Sequence, residues 1–131
     1  MKEIKVGDSA RISKPMTDAD VRSFAHLSLD QNPVHLDADY ARTTIFKKPI
    51  AHGLYVASLI SAVLANQLPG PGSIYLEQTL SFKKPVYIGD TVTAEVTVVE
   101  IPKPKIIKLS TVCRNQNGDV VIEGSATIKT A

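Results

Sequence analysis

The chain has little of what several protein classes require. Its single cysteine, Cys113, can close no disulfide within the chain and build no thiolate cage for a metal. Charge of neither sign predominates: fifteen Lys and Arg stand against thirteen Asp and Glu, too even a balance for a nucleic-acid groove or a polybasic membrane patch. No nucleic-acid partner is expected. Long hydrophobic runs are missing as well. Residues 1–10 interleave Lys2, Glu3, Lys5 and Asp8 with isolated apolar residues, unlike a secretory signal. The most apolar stretch, Pro49 to Leu68, is interrupted by His52, Ser58, Ser61, Asn66 and Gln67 and reads as a buried helix, not a membrane span. A cytoplasmic protein without a membrane partner is expected. The sequence shows no repeat, no low-complexity tail and no Gly-x-Ser-x-Gly elbow, so covalent acyl transfer has no motif to stand on.

What is present suits one domain over residues 1–131, with 44% apolar and 21% charged residues. Thr17, followed three residues later by Asp20, resembles a helix-opening cap, and Val21, Phe24 and Ala25 recur at helical spacing as far as about Leu29. Asn32-Pro33 marks the next stretch, Asp30 to Asp37, as an ordered turn or loop, and Asp37 is placed to cap a short helical turn through Tyr40 and Ala41. From Ala51 to Leu68 apolar residues run nearly all round a helix that wants to be surrounded. Strand-like segments follow at Ser73 to Ile88, Thr91 to Ile101, Lys105 to Asn115 and Asp119 to Lys129. Cys113 falls on the third of these and reads as half-buried. Pro102 to Pro104 reads as a connection whose prolines stop pairing, and Asn117-Gly118 as a tight hairpin turn. One all-round apolar helix followed by an antiparallel meander predicts an α+β hotdog fold, a long central helix wrapped by a curled antiparallel sheet. The open edges of such a sheet predict a homodimer.

Asp30 and His35 lie five residues apart across the proline-containing loop, where the chain can fold back so that both side chains meet one water. Alone, each reads as an ordinary turn residue. Taken with Asn32-Pro33, and with His52-Gly53 opening the long helix, a mere turn explains neither histidine. The first N–H groups of that helix lack partners within it, and Gly53 lets an oxygen approach them closely. Together these groups match the needs of enoyl-thioester hydration: a base for the water attacking C3, a proton donor at C2, and N–H donors for the enolate-like oxygen. His52 reads as holding the oxyanion segment. His26 has no partner at metal-ligand spacing and reads as a helix-surface residue; neither a metal nor a cofactor is expected.

The run Ser28-Leu29-Asp30-Gln31-Asn32-Pro33-Val34-His35-Leu36-Asp37, with Ala41, Phe46 and then Pro49-Ile50-Ala51-His52-Gly53, resembles the hydratase 2 motif of MaoC-type dehydratases. The similarity runs over nearly the whole chain. Ser73 to Leu76, Leu80 to Lys83 and Val86 to Asp90 resemble the short (R)-specific enoyl-CoA hydratases linked to polyhydroxyalkanoate synthesis. The resemblance implies reversible syn hydration of trans-2-enoyl-CoA to (R)-3-hydroxyacyl-CoA, with an acyl-CoA substrate. It maps water activation onto Asp30 and His35, the oxyanion amide onto Gly53 and a loop buttress onto Asn32. Ser61 matches a serine close to the catalytic carboxylate and Leu64 a residue of the acyl pocket; Ser61 reads equally well as a small packing residue. Many relatives have Gly where this chain has Leu29, so the local backbone must manage without glycine's positive-φ freedom. Lys47, Lys48, Lys83, Lys84, Lys103 and Lys105 are candidate contacts for CoA phosphates. Three other functions fit the same fold: a 3-hydroxyacyl-[acyl-carrier-protein] dehydratase, an acyl-CoA thioesterase, and a non-catalytic acyl-CoA-binding subunit.

Overall fold

The structure, a computed structural model, describes residues 3–131. Alternation decides the sheet. Val92, Ala94, Val96 and Val98 face inward from strand β4 (Thr91–Lys103), and Ile107, Leu109, Thr111 and Cys113 do so from β5 (Ile106–Arg114). Strand β6 (Val120–Lys129) adds Ala126 and Ile128 to the same layer. Two further strands complete the order β1-β4-β5-β6-β2, with β1 (Ser9–Pro15) and β2 (Ile74–Gln78) at the edges and every pairing antiparallel; β3 (Ser81–Phe82) also pairs with β6.

Helix α4 (Gly53–Asn66) lies against this layer, burying Tyr55, Val56, Ala57, Leu59, Ile60, Val63 and Leu64. Burying a Val, Leu or Ile side chain contributes about 1.5–3 kcal/mol, so this face dominates the helix's attachment. The result is the expected α+β hotdog arrangement, with the sheet left open. Phe24 of helix α1 (Asp18–Ser28) packs against Tyr55 of α4 with ring centroids 5.4 Å apart, and the single-turn helices α2 (Pro33–Leu36) and α3 (Ala38–Arg42) follow α1 along the chain. Among the described residues no helix is long and apolar enough to cross a membrane.

Several expectations are corrected. Strand β1 lies where the sequence shows only mixed residues, because Ser9 to Pro15 borrows its regularity from pairing with Thr91 to Thr97 of β4. The segment Ser73 to Ile88 is not one strand: it breaks after Gln78, where the Thr79 N–H leaves the β2 register to reach the Ser125 carbonyl at 2.8 Å, and again beyond Phe82. Pro85 offers no donor with which to resume pairing. Pro102 does not end β4, which absorbs it at a register shift and runs on to the Lys103–Ile106 pair. Cys113 is fully buried, not half-buried, and burial pushes its thiol up to about 12, leaving it without thiolate character.

Candidate active site

The site begins where α1 ends. Thr17 caps that helix by accepting the Asp20 N–H at 3.1 Å, and Leu29 ends it in the left-handed region at φ 69°. The backbone thus takes the left-handed conformation without glycine's freedom, with a leucine in it, at a cost of about 1–2 kcal/mol. Beyond this turn, main-chain donors find short side chains in sequence. The Ser28 hydroxyl accepts from the Asp30 N–H at 3.1 Å, and the Asp30 carboxylate from the Asn32 N–H at 3.3 Å. The Asn32 side-chain oxygen then accepts from the Val34 N–H at 3.2 Å, so Asn32 is the N-cap of α2, with Pro33 at the first helical position. The expected loop is therefore half helix. Arg22 ties it to α1, its Nη2 donating to the Leu36 carbonyl at 2.9 Å while Nε donates to Asp18.

Helix α2 delivers His35 to the interior, where it is 8% exposed, while Asp30 stays accessible. His35 Nδ1 lies 2.7 Å from the Ile50 carbonyl oxygen. A carbonyl only accepts, so Nδ1 carries the hydrogen and the Nε2 lone pair is free for chemistry. Burial pushes the His35 imidazole below its ordinary value of 6.5; the neighbouring His52 acts in the same direction, whereas the Ile50 carbonyl and Asp30 oppose it. His35 is thus mainly the neutral imidazole at pH 7.

His52 is buried just ahead of α4 and gives that helix no side-chain cap. Gly53 and Leu54, which open α4 and whose N–H groups have no partner within the helix, border the same hollow as Asp30 and His35, a cavity of ≈ 420 Å³ also lined by Phe24, His52 and Phe82. A donor atom from each of Asp30, His35 and His52 lies within 4.8 Å of the other two. This triangle suits a water better than a metal ion. The two imidazoles are stacked, with centroids 3.7 Å apart and 25° between planes, so their in-plane lone pairs run side by side and do not converge.

Asp30, Asn32, His35, His52 and Gly53 are thus brought together. Ser61 and Leu64 are not: Ser61 lies on the exposed side of α4 in a neighbouring depression with Ser58 and Tyr75 that shares only Leu54 with the cavity, and Leu64 is 1% exposed within the core. Among the candidate lysines, Lys83 and Lys84 border an apolar cleft that shares Gly53 and Phe82 with the cavity at Asp30 and His35, whereas Lys105 lines a depression with Leu68 at the other end of α4. His26 is exposed on α1, as expected. Sequence reasoning missed Phe82 as a wall of the site, the Ile50 carbonyl as the group that sets the His35 tautomer, and Arg22 as a latch. Only Phe82 left a trace, as an apolar residue on an otherwise polar, exposed strand end.

Comparison with known proteins supports the same fold. A family model described as a MaoC like domain matches residues 2–118. The chain is 53% identical over 127 residues to an (R)-specific enoyl-CoA hydratase of Rhodospirillum rubrum, covering 96% of this chain and 88% of the relative. It is 50% identical to an (R)-specific enoyl-CoA hydratase of Aeromonas caviae, over 96% of this chain and 95% of the other. A solved structure, the (R)-hydratase from A. caviae involved in PHA biosynthesis, superposes with a TM-score of 0.96 at 48% identity over all of both chains. With the motif, the fold and these full-length matches in agreement, the chain belongs to the MaoC-like family.

Proposed function

We propose that this chain is an (R)-specific enoyl-CoA hydratase in which Asp30 and His35 activate a water and the main-chain N–H at Gly53 holds the thioester oxygen. The observation that carries the reading is the shared cavity: a carboxylate, an imidazole with a free Nε2, and the N-terminus of α4 all open into it. A water held by Asp30 and His35 Nε2 loses a proton to this pair as its oxygen bonds to C3 of the enoyl group. The C2–C3 π electrons move into the thioester, and the charge on its oxygen is met by the α4 N–H groups. The pair returns a proton to C2 from the side on which the water stood, so hydrogen and hydroxyl add to one face. Reversal of these steps is dehydration.

The functional unit in this proposal is a homodimer in the cytoplasm with one hotdog domain per protomer. Edge strand β2 leaves Ile74, Tyr75 and Leu76 exposed beside the exposed Leu54 of α4, an apolar patch and an unpaired strand edge that a second copy would cover together. The lone buried Cys113 is compatible with a reducing compartment. Sedimentation velocity tests the assembly: wild type is expected as a dimer and Leu76→Lys shifted toward monomer.

The activity is tested by following loss of enoyl absorbance with crotonyl-CoA, coupled to dehydrogenases specific for the (R)- or (S)-3-hydroxyacyl product. Formation of the (R) product is expected. Thiol release would indicate a thioesterase instead, and turnover only of carrier-protein substrates would indicate a 3-hydroxyacyl-[acyl-carrier-protein] dehydratase.

A further inference from the structure

His52 touches both members of the dyad. It is 2% exposed, and its Nε2 lies 2.9 Å from the main-chain carbonyl oxygen of Asp30, so Nε2 carries a hydrogen and donates it. One face of the ring lies on His35 with centroids 3.7 Å apart, and Phe24 packs against the ring at 4.8 Å. His52 Nδ1 is buried with no hydrogen-bond partner among the described residues. A residue needed only to fill space before α4 has no reason to carry two nitrogens into an apolar setting and leave one unpaired, since an unsatisfied buried polar atom costs about 1–3 kcal/mol. An apolar ring would avoid that cost, but it would lose the hold on Asp30.

We propose that His52 is a positioning residue that fixes Asp30 and His35 relative to each other, its Nε2–H holding the main chain at Asp30 and its ring face holding the imidazole of His35. The two dyad residues approach from different places, Asp30 from the end of α1 and His35 from α2, and His52 enters from a third, the start of α4. Its position therefore references both groups to the helix end that receives the thioester oxygen. The activity arm of the test below rests on the hydratase reading; the spectroscopic arm does not.

The experiment compares His52→Phe, which keeps a flat ring but removes the N–H, with His52→Gln, which keeps an N–H donor but removes the ring. His52→Phe is expected to lower kcat for crotonyl-CoA by about 10-fold or more with KM within about threefold, because misplacement of reacting groups by about 1 Å can cost up to about 10²-fold in rate. His52→Gln is expected to recover part of that loss. In parallel, the His35 Cε1–H resonance is titrated by NMR in wild type and His52→Gln. The titratable groups acting on His35 are Asp30 and His52, while Phe24, Leu54 and Phe82 around the hollow carry none. Removal of the stacked ring is expected to move that resonance and raise its midpoint toward 6.5. Wild-type kcat in His52→Phe, or an unmoved His35 resonance in His52→Gln, overturns the proposal. If wild type hydrates no enoyl-CoA, the hydratase reading fails while the resonance still decides the role of His52; if His52→Phe does not fold, His52→Gln and the resonance decide it.

Discussion

A Cβ on Gly53 would lie 2.6 Å from Cε1 of Phe82, so the residue that opens α4 is glycine in part because an aromatic ring occupies the space beside it. Phe82 is itself 54% exposed on a two-residue strand, so its ring can give way. Gly53→Ala is therefore expected to fold and to lose activity by displacing the ring into the cavity. Adding Phe82→Ala to the same chain is expected to restore at least about tenfold of that loss, a coupling of about 1.4 kcal/mol, within the range for touching residues. Steady-state kinetics of both single variants and the double variant close the cycle. If the double variant is no better than Gly53→Ala, the methyl acts on the substrate and not on Phe82.

Asp30→Asn and His35→Ala are each expected to lower kcat by about 10²-fold or more, with the melting temperature changed by no more than a few degrees. Asp30 is exposed and, among the described residues, its carboxylate accepts one long main-chain hydrogen bond, so little of the fold depends on its charge. A large fall in melting temperature alongside the kinetic loss would make the residue structural.

The pH profile follows from His35. Its folded value lies below 6.5 because the ring is buried, so the neutral imidazole survives into mildly acid solution. The acid limb of kcat/KM is expected below pH 6.5, and in Asp30→Asn, where the opposing carboxylate charge is gone, His35 is expected to titrate lower still. Stability has a matching dependence. The unfolded chain binds the His35 proton more readily than the folded one, so this contribution is complete above about pH 6.5 and is lost as pH falls toward the folded value. Thermal melts between pH 5 and 7.5 check the sign.

Leu29 holds a left-handed conformation that glycine adopts without strain, and its side chain is 81% exposed, so little burial is lost on removing it. Leu29→Gly is expected to stabilise the protein by about 0.5–1 kcal/mol, the relief of strain exceeding glycine's greater unfolded-state entropy. Urea denaturation of the pair decides it, and a lower midpoint for Leu29→Gly would show that the leucine makes a contact worth more than its strain.

Much of this architecture was legible in the residues because local chemistry determines it. The Thr17 cap, the left-handed Gly118 of the Asn115–Gly118 turn and the inward alternation of β4 and β5 each express a rule that acts within a few residues, as does the grouping of Asp30, Asn32 and His35 in one capped loop. What escaped depends on partners distant in sequence. Strand β1 exists only through β4, the tautomer of His35 depends on a carbonyl fifteen residues away, and the clamp of His52 on Asp30 spans twenty-two. Leu29 is the instructive case. Its residue type argues against the conformation it holds, and only the capped turns on either side oblige the backbone to take it.

Helix α4 also sets a distance. Its fourteen residues extend about 20 Å from Gly53, and the β4–β5 turn at Lys105 lies beside the helix's other end, lining a depression with Leu68. A dye, a resin linkage or a fused domain joined at that turn would therefore stand a full helix length from the dyad. The fold thus supplies a handle for attachment at the end remote from its chemistry.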